Sequence, residues 1–222
     1  MVAPRPLTVL LAAFPLLAAA APAAPAGECL GVESFATGTI GEFPPDWKPR
    51  KEVGRGVYAI QQEAGLRFLH AAARGLGIQA AKPYEWDLAR YPILAWSWRP
   101  LEFPAGSDER NAKTNDSALA VYAVFSHTPW SVKSLKYIWS AVAPAGTHLT
   151  SSAGLTQARV LRSGTQGKGE WVEERANVLD DYRKYFGDGG VPKPGGIAVL
   201  TDSDDTSSSA QGDYANFRVC EP

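Results

Sequence analysis

Residues Tyr91–Arg99 read YPILAWSWR, and residues Ser117–Ser126 read SALAVYAVFS. The first stretch alternates with period two. Leu94, Trp96 and Trp98 fall on one face, and Ile93, Ala95, Ser97 and Arg99 on the other, as in a strand with one buried side. The second is an almost continuous apolar run, as expected of a central strand packed on both faces. Working outward, Val57–Glu63, Leu66–Ala73, Gly75–Ala81, Leu135–Ser140, Ala158–Arg162, Gly196–Thr201 and Tyr214–Cys220 read as further short strands. Pro44-Pro45, Pro129, Pro144-Ala145-Gly146, Ser163-Gly164 and Pro194-Gly195-Gly196 separate them with turn chemistry. One segment has helical period instead: Val178, Tyr182, Tyr185 and Phe186 share a face. Asn177 is placed to cap it, Asp180 and Asp181 sit near its positive end, and Gly187 stops it. Many short strands and one helix over 178–186 predict an all-β fold, an antiparallel β-sandwich.

The 222-residue chain is 45% hydrophobic, which excludes a disordered or fibrous protein. Met1–Ala26 has one early cation, Arg5, then an apolar run broken by Pro15, and ends in Ala24-Pro25-Ala26. This is the pattern of a secretory signal peptide. The run is short for a membrane span, and no later segment is apolar enough to cross a bilayer. Residues 27–222 are expected to form one monomeric domain in a bacterial periplasm or outside the cell. Lys and Arg total 22 against 23 Asp and Glu, so there is no electrostatic footprint for nucleic acid. The two cysteines, Cys29 and Cys220, lie at the ends of the exported part and are expected to pair. Such a disulfide makes the first and last strands neighbours, which suits a jelly roll.

The stretches FPPDWKP (43–49), YPILAWSWRP (91–100), PAGSDER (104–110), NDSALAVYAVF (115–125), LKYIWS (135–140), DDYRKYFG (180–187) and GGIAVLTDSDDTSSSAQGDY (195–214) resemble, in this order, a bacterial family of exported proteins, domain of unknown function 3047. That family brings no activity to transfer. The opening VESF…FPPDW and the closing YANFRV are also similar to the terminal strands of galactose-binding-like jelly rolls.

Three groups of residues carry candidate chemistry. Asp202, Asp204, Thr206 and Asp213 occupy the first, third, fifth and twelfth positions of a loop that follows the strand IAVLT, a partial calcium-loop spacing. Ser207 stands where an EF-hand needs glycine, so the expectation is a Ca2+ site of another kind, or a solvated polar turn. Asp108, Glu109 and Asp116 flank the loop between the two opening strands, near Arg99 and Arg110. They read as ion pairs and turn bonds, or as a polar groove beside aromatics. Of the seven tryptophans most should be core. Trp86 and Trp130 stand beside Pro83 and Pro129 in expected loops and are the candidates for an exposed platform that stacks on sugar rings. Finally, His70, His127 and His148 show neither HxH nor HExxH spacing, and there is no G-x-S-x-G elbow, so zinc and serine-hydrolase chemistry lack a signature. The leading functional expectation is a non-catalytic module that binds a glycan or cell-envelope polymer through Trp86, Trp130, Arg99, Asp108 and Asp116. The alternatives are an acid–base hydrolase using Asp108, Asp116, Asp202 or Asp204, and a structural envelope protein.

Overall fold

The structure is a computed structural model that describes residues 27–190 and 193–222; the expected leader, Met1–Ala26, lies outside the described residues. The strands follow the chain as β1 (Cys29–Glu33), β2 (Lys48–Pro49), β3 (Tyr58–Glu63), β4 (Leu66–Arg74), β5 (Ala80–Pro83), β6 (Ile93–Glu102) and β7 (Leu119–Thr128). After these come β8 (Ser131–Ser140), β9 (His148–Ser151), β10 (Thr156–Ser163), β11 (Val172–Asn177), β12 (Pro194–Leu200) and β13 (Ser209–Cys220). The helix α1 (Val178–Phe186) lies between β11 and β12, with Asn177 accepting from the Asp180 N–H at 3.0 Å. It begins and ends where the capping residues predict.

Two sheets face each other in a jelly-roll sandwich. One is ordered β11-β6-β13-β4-β3, with β1 also on β13; the other is β2-β5-β12-β7-β8-β10-β9. The long strand β13 lies at the centre of the first sheet, between β6 and β4. Its first half pairs with β4 and its last residues pair with β1, in a register that sets Cys29 opposite Cys220. The two cysteines are disulfide-bonded. The third expected strand, Gly75–Ala81, is shifted: pairing begins at Ala80, because the backbone from Gly75 to Gly77 is taken by the loop around Asp202. A second departure is β10, which runs parallel to β8 although the pattern suggested an antiparallel sheet throughout. The connection over residues 141–155 is long enough for such a crossover, and it lays β9 on the outer edge as it returns.

Alternation along β6 sets the core. Leu94, Trp96 and Trp98 are fully buried and face the other sheet. Trp96 lies 5.6 Å from the Tyr137 ring and Trp98 lies 5.8 Å from Trp139, both on β8. Strand β7 is packed on both faces, as its unbroken apolar run requires. Leu119, Val121, Ala123 and Phe125 enter the main core, and Ala120 and Tyr122 enter a second cluster on the outer face of their sheet.

Buried polar pairs stitch the sheets at defined points. Tyr214 of β13 donates to the Leu200 carbonyl at 2.8 Å, and the Thr201 hydroxyl donates to the Ala118 carbonyl at 2.9 Å. These two bonds fix where β12 ends and so where the loop beginning at Asp202 starts. Near the chain ends, Glu33 of β1 accepts from Lys82 of β5 at 2.8 Å, from the Trp47 indole at 3.0 Å and from the Phe35 N–H at 2.6 Å. Burial would raise the Glu33 carboxyl, but these donors and the Lys82 charge outweigh it and hold the group below its ordinary value of 4.5. A carboxyl depressed on folding contributes stability that is present above its ordinary value and lost as pH falls through the folded one. Glu33→Gln is therefore expected to cost about 1–3 kcal/mol at pH 7. The gap from the parent protein should close as pH falls below about 4. Urea denaturation of both proteins at pH 7 and pH 3 checks this; an equal gap at both values would refute it.

Candidate functional site

The outer face of the second sheet carries an open depression. Tyr122, Val124 and Ser126 point outward from β7 because Val121, Ala123 and Phe125 point inward. Beside them lie Ser134 of β8, Ala198 of β12, Ala81 of β5 and the side chains of Gln79, Lys48 and Arg50. The hairpin joining β7 to β8 and the turn at Ser152–Thr156 raise its sides, giving a groove of about 930 Å³. Trp130 stands at the hairpin tip, 95% exposed, and neighbouring Val132 is half-exposed. The tip is braced by a 2.6 Å bond between the Thr128 and Ser131 hydroxyls, and Thr128 also accepts from the Trp130 N–H. Trp130 is thus a large apolar ring held out in water on a braced turn.

Lys136 is buried at one end of this face and lies opposite Tyr122 in the β7–β8 register, with its Nζ 5.8 Å from the Tyr122 ring. The loop 103–118 brings Glu109 into its surroundings, where the carboxylate accepts from the Ser140 hydroxyl. Burial alone would lower the Lys136 ammonium, but Tyr122, Asp202 and Glu109 raise it, so it stays charged. Glu109 is pushed up by burial against the pull of Ser140 and Lys136.

Next to this group the loop after β12 curls rather than continuing as a strand. Asp202 donates its N–H to the Ser117 carbonyl at 2.9 Å, and Ser203 donates to Leu76 at 3.1 Å. Asp116, fully buried, accepts from the N–H groups of Asp205 (3.2 Å) and Thr206 (2.8 Å) and from the Thr206 hydroxyl. Asp116, Asp204 and Asp205 thereby bring one carboxylate oxygen each within 4.8 Å of one another. Burial, reinforced by Asp204 and Asp116 and opposed by Lys136, pushes Asp202 up to about 8.

The expected site residues are redistributed by the fold. Asp202 and Asp204 do share one loop, and Thr206 supports Asp116 by donating to it. Asp213 is elsewhere: it is on β13, buried on the outer side of the first sheet, where it binds Arg99 Nε and His70 Nδ1, each at 2.7 Å. Twelve-residue spacing placed Asp213 near Asp202 only if the chain stayed a loop, and β13 begins at Ser209. Arg99 is held by Asp213 and Glu63, lies over the Trp171 ring at 4.7 Å and lines a separate open depression of about 370 Å³ on the first sheet. Asp108 is clamped by Arg110 through two bonds of 2.8 and 2.7 Å, and that guanidinium holds its carboxyl below the ordinary range. Trp86 is buried: its loop folds back over the core, and its indole N–H donates to the Tyr91 carbonyl at 3.2 Å. Of the two tryptophans expected to be exposed, only Trp130 is. Tyr122, Lys136 and Gln79 went unnoticed in the sequence. The signal available for Lys136 was its place in LKYIWS, a charge on the face opposite Leu135 and Tyr137.

Residues 46–218 match the family model described as a protein of unknown function, DUF3047. The chain belongs to the DUF3047 family. No curated protein matches the sequence of this DUF3047 chain. Among solved structures, it is similar to a carbohydrate-binding module of family 27 that recognises mannan. The identity is 15% and the TM-score 0.38, over 88% of this chain and 99% of that one. A carbohydrate-binding module of family 28, specific for non-crystalline cellulose, aligns at 9% identity and TM-score 0.41, over 80% of this chain and 89% of that one. The family 11 xylanase from Neocallimastix patriciarum aligns at 11% identity and TM-score 0.33, over 81% and 94% of the respective chains.

Proposed function

We propose that this DUF3047 chain is an exported, non-catalytic module that binds an oligosaccharide or envelope glycan in the groove on the outer face of the second sheet. The observation that carries the reading is Trp130, an almost fully exposed indole at the rim of a groove whose lining mixes hydroxyls, an amide and two cations with apolar Val124, Val132, Leu155 and Ala198. A pyranose offers an apolar face to an indole and hydroxyls to Ser126, Ser134, Thr156 and Gln79, so one ligand uses both kinds of surface. The described groove lining holds no Asp or Glu, whereas glycoside hydrolysis uses a carboxylate pair across the scissile bond. Of the acids a hydrolase would use, Asp108 is clamped by Arg110, and Asp116, Asp202 and Asp204 lie in the loop cluster after β12. Binding is therefore the better-supported reading. The disulfide suits an oxidising compartment outside the cytoplasm. Among the described residues, no helix is long and apolar enough to cross a membrane.

The test is a glycan array followed by calorimetric titration of each hit against the parent protein and Trp130→Ala. Loss of the indole is expected to weaken binding at least tenfold, about 1.4 kcal/mol, with the fold unchanged because the side chain is exposed. An array without hits, or a hit that Trp130→Ala binds as tightly, would refute the reading.

A further inference from the structure

We propose that the end of the sandwich where Asp116 meets the loop after β12 is a binding site for a divalent cation of calcium size, with Asp116, Asp204 and Asp205 as its ligands and Asp202 behind them. Three carboxylate oxygens from two distant segments of chain converge within 4.8 Å. The second observation is Asp202 itself. It is only 8% exposed, and its Oδ1 has no hydrogen-bond partner in the protein. That oxygen is turned toward Asp204, one of the three. A methyl group added at Gly77 would lie 2.2 Å from Asp202 Oδ1 and 2.9 Å from Asp204 Oδ1, so both oxygens border one point above this glycine. A buried carboxylate oxygen left without a donor is costly, and a second carboxylate facing it adds repulsion. A cation held by Asp204 would offset the repulsion, and a water on that ion would donate to Asp202 Oδ1.

The chemistry of the donors selects the ion. All are carboxylate oxygens, which suit a hard cation and not zinc or copper. Asp116 Oδ2 is taken up by the Thr206 N–H and hydroxyl, whereas Oδ1, which accepts one bond from the Asp205 N–H, retains a lone pair for an ion. Asp204 and Asp205 are exposed, leaving room for water in the remaining positions. Calcium accepts such an irregular, partly hydrated set, whereas magnesium demands a near-ideal octahedron. Thr206 is not a ligand here; it donates to Asp116 and so positions it. The ion would tie the β12–β13 loop to the segment before β7, and through Gly77 to the turn after β4.

The experiment uses the EDTA-stripped mature protein without any glycan, so its outcome is separate from that of the groove. Calcium chloride and magnesium chloride are titrated in a calorimeter, and thermal unfolding is followed in parallel. One calcium per chain is expected. At a concentration about 100-fold above Kd the unfolding midpoint should rise by roughly 5–10 °C. Asp204→Ala and Asp205→Asn, both exposed positions, should remain folded and lose the heat and the shift. Asp108→Ala, a partly exposed acid outside the cluster, should keep both. Absence of binding, a shift that survives in Asp204→Ala and Asp205→Asn, or an equal response to magnesium would overturn the assignment.

Discussion

Replacing Cys29 and Cys220 together by serine is expected to cost about 5 kcal/mol of stability. The disulfide joins residues 191 positions apart. Its effect is therefore largely on the unfolded chain, which loses the freedom of almost the whole described sequence when its ends are tied. In the folded protein the two cysteines face each other across β1 and β13. Without it, β1 remains attached through its ladder to β13 and through the Glu33 contacts to Lys82 and Trp47. Arg90 also reaches Glu28 and Glu221, but these pairs are largely exposed and contribute little. Guanidinium denaturation of the oxidised parent and the double variant measures the difference. A loss of about 1 kcal/mol or less would mean that the unfolded chain keeps its ends together by other means, and would refute the entropic account.

Trp98→Ala is expected to cost about 3–5 kcal/mol. Trp98 is fully buried in the middle of β6, 5.3 Å from Trp96 and 5.8 Å from Trp139, so it spans the gap between the two sheets. The two indoles beside it, Trp96 on β6 and Trp139 on β8, cannot close the space that its removal leaves, because each is held in place by its strand. The indole N–H of Trp98 has no hydrogen-bond partner. Its contribution is therefore packing alone, and Trp98→Phe should recover more than half of the loss while removing an unpaired donor. Denaturation midpoints of the two variants decide this. If phenylalanine proved as damaging as alanine, the ring's volume would not be what holds the sheets apart.

The strand and helix positions were legible because they depend on near neighbours in sequence. The alternation in YPILAWSWR assigned Trp96 and Trp98 to the core and Arg99 to the opposite face, and both hold in the structure. The unbroken run in SALAVYAVFS marked the strand that is packed on both sides. Asn177 and Gly187 bounded the helix through bonds that span only a few residues. The pairing of Cys29 with Cys220 was legible because the chain offers no other choice.

Exposure and convergence were not legible. Trp86 and Trp130 carry the same local signals, a tryptophan in a turn near a proline, yet one turn folds over the core and the other projects from a hairpin. Only the packing of distant strands distinguishes them. The acidic loop shows the same limit. Spacing along the chain offered Asp213 as a partner for Asp202, but strand pairing carries Asp213 to the other sheet to meet His70 and Arg99, and brings Asp116 in its place. Local periodicity thus determined which residues are strands and which faces are apolar, since side-chain direction follows from the backbone repeat. Which loops cover the core, which carboxylates meet, and which indole stays in water were decided by the tertiary structure, because those contacts join residues far apart in sequence and depend on how the sheets are ordered.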